Sequence, residues 1–160
     1  ILTSDHGWQM GEKDYLFKNS PWEESVRIPL VISSPTLIKS GKVKQPVSLI
    51  DLYPTLMELV GLKTINEGLQ GTSFKPLLEK PRTTWKKAAF SKYGPAVSVV
   101  TNRFNYAEFK NGEKMLFDLN VDPDENTNLA TSPKQKENIE RLAILLKKGW
   151  QKALPVGLNK

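Results

Sequence analysis

The sequence has no cysteine and only one histidine, His6. Without cysteine, the chain cannot form disulfide bonds, present a thiolate nucleophile or bind zinc through sulfur. A metal site made mainly of histidines is also excluded, since His6 is the single imidazole available. Metal binding by this chain therefore has to rely on carboxylate oxygens with at most one ring nitrogen.

Long apolar runs are absent as well. None approaches the ~20 residues that a membrane-spanning helix requires, so no membrane partner is predicted. The 160 residues are 39% hydrophobic and 25% charged, which is typical of a globular domain. A chain of this length buries roughly two-thirds of the surface that its unfolded form exposes, which is enough for a core of its own.

Positive charge is concentrated at one end of the chain. The formal net charge is +6, but residues 133–160 alone contain seven Lys or Arg against two Glu. That segment carries +5, which leaves only +1 for the preceding 132 residues. No aromatic residues alternate with its lysines in the way that supports base stacking. We interpret this charge as the solvated face of a helix, and no nucleic-acid partner is predicted.

Hydrophobic spacing in the first half predicts a sheet with a helix packed on it. Ile1 and Leu2 have the character of a strand end, and residues 27–32, RIPLVI, are predicted to form a buried strand. A helix is predicted from residue 48 to Gly61, which provides the stop signal.

The second half is rich in strand-forming residues. Asn111 and Gly112 lie between two apolar-rich segments of residues 96–119, and this pair favours a tight hairpin, so the sheet there is predicted to be antiparallel. Asp122 and Pro123 predict a turn. An amphipathic terminal helix is predicted to cover the sheet. Its apolar face consists of Ile139, Leu142, Ala143, Leu146 and Trp150.

Asp5 and His6 directly follow the first apolar residues and precede Gly7. On a loop, consecutive side chains are not forced to opposite faces, so both can reach one metal ion. Carboxylate oxygen suits Ca²⁺ or Mg²⁺, whereas imidazole better suits zinc. Gly7 permits a close approach of the backbone. Taken alone, the pair predicts either two ligands of a metal site or a loop cap beside a surface histidine.

Three tryptophans are further candidates. Trp8, Trp22 and Trp85 have the rings needed to stack on sugars, but packing in the core is the preferred interpretation. Glu12 is interpreted as a solvated loop carboxylate, and Arg27 as a structural ion-pair partner.

Four stretches of the sequence, in order, are similar to those of one enzyme family. They are LTSDHGWQMGEKDYLFKNSPWEESVRIPLVI, SLIDLYPTLMELVGL, LQGTSFKPLL and MLFDLNVDPDENTNLA. On these stretches the chain resembles the sulfatases, members of the alkaline phosphatase superfamily, and is most like the iduronate-2-sulfatase branch. The similarity extends from Ile1 to about Trp150.

The resemblance implies an α/β fold in two parts. Residues 1–80 would form the C-terminal part of a sulfatase-like mixed sheet with its helices, within the catalytic core. Residues 81–160 would form a small antiparallel β-sheet subdomain covered by a C-terminal helix. A periplasmic, secreted or lysosomal location is implied by the resemblance alone.

The resemblance also assigns roles to three residues. Asp5 and His6 match the pair that ligates Ca²⁺ in the family, and Lys18 matches a lysine that contacts the sulfate group. The implied reaction is hydrolysis of a sulfate ester on a carbohydrate substrate, with hydrated formylglycine as the nucleophile. Lys18 would stabilise charge on a sulfate oxygen and act both in substrate binding and in catalysis.

The chain departs from the family pattern in what it lacks. Sulfatases carry a Cys or Ser, oxidised to formylglycine, in a C/S-x-P-S/T-R motif, and no such motif is present. We therefore expect the chain to be a C-terminal fragment whose partner is the missing N-terminal part, which would also complete the Ca²⁺ site. An exposed sheet edge would make self-association possible.

Two other functions stay open on the sequence. One is part of a related hydrolase of phosphate or phosphonate esters, which would have a different nucleophile in the missing part. The other is a non-catalytic module that binds polyanions through the basic helix. Metal-independent binding to heparin-like polymers would favour the second alternative.

We predict that the 160-residue chain by itself hydrolyses no sulfate ester, because it contains no candidate for the activated nucleophile. The assay uses purified chain with 4-nitrocatechol sulfate and sulfated disaccharides in millimolar Ca²⁺. Turnover that disappears on substitution Asp5→Ala would contradict the prediction.

Overall fold

A computed structural model describes residues 1–35, 40–62, 69–85 and 88–152, with only the backbone for 150–152. None of the helices in these ranges is long and apolar enough to cross a membrane. The strands are β1 Leu2–Thr3, β2 Gln9–Met10, β3 Leu16–Phe17, β4 Leu30–Val31, β5 Ala89–Tyr93, β6 Ala96–Val100, β7 Phe104–Phe109 and β8 Lys114–Asp118. The α-helices are α1 Glu23–Val26, α2 Leu52–Leu59, α3 Lys75–Glu79 and α4 Lys136–Lys152.

The first part of the chain contains two small antiparallel sheets, one of β1 with β4 and one of β2 with β3. Leu2 pairs with Val31 and Thr3 with Leu30. The predicted strand over residues 27–32 is therefore only two residues long, and it is not buried, since Val31 is 54% exposed. Pro29 shortens it because proline has no N–H to donate to a sheet. No second layer covers Val31 within the described residues.

The second part is built on a four-stranded antiparallel sheet in the order β5, β6, β7, β8. The hairpin predicted at Asn111 and Gly112 joins β7 to β8. Gly112 has a φ of 89°, whereas the Asn111 carboxamide oxygen accepts a hydrogen bond from the Glu113 N–H. Strand β5 was not predicted from the sequence. It precedes β6 across a turn at Gly94 and Pro95.

Helix α4 crosses one face of this sheet and closes the main core. Fully buried side chains from both elements form one apolar cluster: Val99, Phe104, Tyr106, Leu116, Leu142 and Leu146. Ile139 and Ala143 pack at its margin, so the predicted face of the terminal helix is confirmed at these four helix positions. The side chain of Trp150 lies outside the described residues. The division at residue 80 stays a prediction.

The predicted helix after residue 48 begins as a 3₁₀ turn over Leu49–Asp51 and continues as α2. Its buried residues are Asp51, Pro54 and Thr55. The Asp51 carboxylate accepts hydrogen bonds from the Ser48 N–H at 3.0 Å and the Thr72 N–H at 2.7 Å. Helix α2 is thus held by hydrogen bonds to backbone groups, which apolar spacing does not reveal.

We predict that Leu142→Ala lowers the free energy of unfolding by about 2–5 kcal/mol, because it leaves a cavity between α4 and the sheet. Leu142 is fully buried. Ile144, on the same helix, is 57% exposed and serves as the control, for which Ile144→Ala is expected to cost less than about 0.5 kcal/mol. Urea unfolding followed by circular dichroism measures both. Equal losses in the two variants would contradict the core described above.

Candidate active site

The loops that follow β1 and β3 bring the three predicted site residues together. Lys18 Nζ lies 2.8 Å from His6 Nε2, and Asp5 Oδ2 lies 3.5 Å from the same nitrogen. The Asp5 side chain is 84% exposed and that of His6 is 33% exposed. The three groups therefore meet at a surface that is open to a ligand.

The hydrogen bonds of His6 assign its tautomer. His6 Nδ1 lies 2.8 Å from the Gly7 carbonyl oxygen, which can only accept, so Nδ1 carries the proton. In a neutral ring Nε2 then has a free lone pair, and it accepts a hydrogen bond from the Lys18 ammonium. The Asp5 carboxylate and His6 Nε2 are consequently two electron-pair donors side by side, an arrangement that favours a cation between them.

Asp5 is set up to be ionised. Its own backbone N–H contributes most to lowering the pKa of the Asp5 carboxyl below its usual value, and the His6 backbone N–H and the charge of Lys18 act in the same direction. The His6 N–H donates to Asp5 Oδ1 at 3.1 Å. The carboxylate is therefore available as an oxygen ligand at neutral pH.

These residues fit part of a Ca²⁺ site. Ca²⁺ takes six to eight ligands, mainly oxygen, and Asp5 can offer one or two. His6 adds a nitrogen that zinc would bind more readily. Across the described ranges, no group of three or more His, Cys, Asp or Glu is placed to hold a metal. Asp5 and His6 therefore supply a partial ligand set.

Gly7 anchors the Asp5–His6 loop to helix α1. The Gly7 N–H donates to the Ser25 carbonyl oxygen at 2.9 Å. A Cβ atom on Gly7 would lie 2.0 Å from the Glu24 carbonyl oxygen, well inside any allowed contact. Only glycine permits this approach, so the backbone of α1 fixes the position of the two candidate ligands.

A cleft of about 450 Å³ opens beside the site. Asp5, His6 and Lys18 line one side, and Lys92 and Tyr93 from β5 line the other. A place for these β5 residues beside the site was not predicted from the sequence, because more than seventy positions separate them from Lys18. Only the folding of the four-stranded sheet against the first part brings them close.

The structure contradicts the core placement predicted for the tryptophans. Trp8 is 48% exposed, and its ring packs 6.2 Å from the His6 ring and 6.1 Å from Phe17, measured between centroids. Trp22 and Trp85 are half-buried. Trp8 directly precedes β2, whose two-stranded ribbon with β3 is too small to bury an indole.

Glu12 and Arg27 make local contacts. Glu12 Oε2 accepts a hydrogen bond from the Met10 N–H at 2.6 Å, within its own turn. Arg27 pairs with Glu23 one helical turn away, at 3.5 Å. These contacts agree with structural roles for both residues.

The family model described as N-sulphoglucosamine sulphohydrolase, C-terminal, matches residues 11–152. The chain belongs to this sulfatase family. A sulfatase of Formosa agariphila is 34% identical over 150 residues, which cover 92% of this chain and 29% of the relative. The chain spans roughly a third of the length of the curated relatives it matches.

Solved structures share its fold. BT4656, solved in complex with its substrate D-glucosamine-2-N,6-O-disulfate, aligns with a TM-score of 0.79 at 28% identity over 94% of this chain and 33% of that one. A phosphonate monoester hydrolase of Agrobacterium radiobacter aligns with a TM-score of 0.80 at 28% identity, over 98% and 35% of the two chains. The predicted sulfatase family and α/β fold class are confirmed.

We predict that Gly7→Ala displaces the Asp5–His6 loop and lowers the free energy of unfolding by about 1–3 kcal/mol, because the methyl group collides with the Glu24 carbonyl. The two readouts are urea unfolding and the NMR shifts of the His6 ring. Gly112→Ala is the control, since its Cβ meets nothing within 4 Å but its φ of 89° strains the hairpin. The control should lose stability with an unchanged His6 ring, and unchanged His6 shifts in Gly7→Ala would contradict the anchoring role.

Proposed function

We propose that this sulfatase chain supplies part of the metal site and the sulfate-contacting lysine of an enzyme that hydrolyses sulfate esters of carbohydrates. The observation that supports it is that Lys18 Nζ and Asp5 Oδ2 both lie within 3.5 Å of His6 Nε2. A carboxylate, an imidazole and an ammonium so arranged can bind a cation and an anion side by side.

Asp5 and His6 would hold Ca²⁺ through a carboxylate oxygen and Nε2, with the other ligands coming from outside this chain. When bound, the ion supplies positive charge that neutralises sulfate oxygens. The nucleophile, expected to be hydrated formylglycine, also lies outside this chain.

Lys18 has two alternative partners in this proposal. His6 Nε2 has one lone pair, so it cannot accept from Lys18 and ligate a metal at the same time. With the metal bound, the Lys18 ammonium is released from His6 and can donate to a sulfate oxygen instead. An ammonium fixed beside the leaving oxygen stabilises the charge that grows there as the S–O bond breaks, and so favours the transition state over the ground state.

A sulfated sugar is the proposed substrate class. The solved relative BT4656 binds a disulfated glucosamine, and the matched family is described as an N-sulphoglucosamine sulphohydrolase. The resemblance of residues 2–32 to the iduronate-2-sulfatase branch supports iduronate 2-sulfate as the finer proposal. Rates on iduronate 2-sulfate and on glucosamine N-sulfate and 6-sulfate distinguish the possibilities.

A phosphonate monoester hydrolase is the second candidate, because such an enzyme aligns with the chain as well as BT4656 does. A full-length enzyme that cleaves phenyl phosphonate monoesters faster than 4-nitrocatechol sulfate would favour it. Metal-independent binding to heparin without turnover would instead favour the polyanion-binding module.

The rest of the enzyme is the proposed partner of the exposed β1 and β4 edge. Leu2 in β1 is 65% exposed and Ile1, directly before it, is 59% exposed, which are high values for apolar residues at a sheet. Because the matched relatives are about three times longer than this chain, we propose that further strands of their sheet pack here. In the isolated chain the same edge can pair with a second copy.

We predict that Lys18→Ala in the full-length enzyme lowers kcat by about a hundredfold, or ~3 kcal/mol, while Ca²⁺ stays bound. Asp5→Ala is expected to lose both Ca²⁺ and activity. Steady-state kinetics on 4-nitrocatechol sulfate and metal analysis of the purified variants test this.

Lys147→Ala is the matched control, because Lys147 is an exposed lysine on α4. It should keep wild-type kcat and metal content. A wild-type kcat for Lys18→Ala would mean that Lys18 has no part in the reaction.

A further inference from the structure

The Pro21–Ser25 segment, which includes most of helix α1, supports both loops of the candidate site. The Ser25 carbonyl accepts the Gly7 N–H at 2.9 Å, which ties down the loop of Asp5 and His6. Ser20 Oγ donates to Ser25 Oγ at 2.8 Å, and the Ser20 N–H donates to the Lys18 carbonyl at 3.0 Å. A shift of this segment would therefore move the candidate metal ligands and Lys18.

Two buried polar residues from the second half of the chain, Asn105 and Glu125, bind this segment through hydrogen bonds. Asn105 Nδ2, on β7, donates to the Pro21 carbonyl at 2.9 Å and to Glu125 Oε1 at 2.6 Å. Glu125 Oε2 accepts from the Glu23 N–H at 2.9 Å. Asn105 and Glu125 are each only 2% exposed, so neither reaches solvent or a substrate in the cleft.

Lys13 forms a second connection between the same parts. Its Nζ donates to Glu24 Oε1 at 3.2 Å and to the Asp124 carbonyl oxygen at 2.8 Å. The loop that carries Glu125 is thus connected to the first two residues of α1, directly to Glu23 and through Lys13 to Glu24.

We propose that Glu125 and Asn105 are positioning residues, which hold the Pro21–Ser25 segment in place and through it set the positions of Asp5, His6 and Lys18. The two residues satisfy a backbone N–H and a carbonyl of the segment that are otherwise left without partners away from water. A catalytic role for Asp5, His6 and Lys18 rests on the proposed function. The hydrogen bonds that position these residues do not depend on it.

The carboxyl of Glu125 lies among like charges. Burial raises the pKa of Glu125 to about 7, and the nearby carboxylates of Glu23 and Glu24 add to the rise, although the Glu23 N–H and Asn105 oppose it. Arg27 pairs with Glu23, and Lys13 pairs with Glu24. Because the folded state holds this proton more tightly than the unfolded state, its contribution to stability is present below about pH 4.5 and is lost as the pH rises through 7.

The test compares Glu125→Gln with Asp124→Asn, which likewise replaces a carboxyl group by an amide, at the neighbouring exposed side chain. Both hydrogen-bond partners of Glu125 are donors. The side-chain amide in Glu125→Gln could accept a hydrogen bond from only one of them, because its NH₂ group would face the other. Amide hydrogen exchange of the 160-residue chain should show Gly7 and Glu23 exchanging at least about tenfold faster in Glu125→Gln. Val99 lies in the middle of the four-stranded sheet. Once the exchange rate is corrected for any change in global unfolding, the Val99 amide should exchange as fast in Glu125→Gln as in the wild type.

A wild-type measurement keeps the test independent of variant folding. The side-chain carboxyl carbon of Glu125 should titrate with a midpoint near pH 7, and the Glu23 amide proton should shift with the same midpoint. That Glu23 titration should vanish in Glu125→Gln and persist in Asp124→Asn. If the chemical shift of the Glu23 amide proton does not change as Glu125 ionises, the proposal is overturned. Unchanged amide exchange of Gly7 in Glu125→Gln would also overturn it.

In the full-length enzyme, Glu125→Gln should lower kcat by about tenfold to a hundredfold with little change in KM, and Asp124→Asn should change neither. If the wild-type enzyme hydrolyses no sulfate ester, the proposed function fails, yet the exchange and titration results still decide the positioning role. Wild-type kcat in a Glu125→Gln enzyme would overturn the positioning role even where sulfatase activity is established.

Discussion

The backbone of Gly7 lies against the Glu24 and Ser25 carbonyls at a distance that admits no side chain. The rest of the candidate site depends on this contact, because Asp5 and His6 come immediately before it and have few other restraints. Two exposed ligands on a free loop would lose conformational entropy on meeting a metal. Attached to α1, they have already lost most of it when the chain folds.

Among the described residues, the buried carboxylates of Asp51 and Glu125 join segments that are distant in the sequence. Asp51 accepts backbone N–H groups of Ser48 and Thr72, and Glu125 accepts that of Glu23 together with the Asn105 amide. Hydrogen bonds to charged groups are among the stronger ones in proteins, about 1.5–3 kcal/mol each. The small first part of the chain, which has short strands and little apolar core, relies on such bonds where the second part relies on the cluster under α4.

Local features were predictable from the sequence, and long-range ones were not. The Asn111–Gly112 hairpin and the buried face of α4 follow from turn chemistry and helical spacing, and the proximity of Asp5, His6 and Lys18 was expected from the family resemblance. Glu23 and Glu125 are 102 positions apart in the sequence, and hydrophobic periodicity does not predict a single buried carboxylate. Exposure at Val31 and Trp8 was missed because burial depends on which other elements cover a residue, and spacing along one strand carries no such information.

Lys18 Nζ lies 2.8 Å from His6 Nε2, and its charge helps to lower the pKa of the Asp5 carboxyl. The chain thereby carries an internal counter-ion, and two neighbouring electron-pair donors are kept from repelling each other while no metal is bound. A divalent ion that enters would displace a tethered ammonium in addition to water.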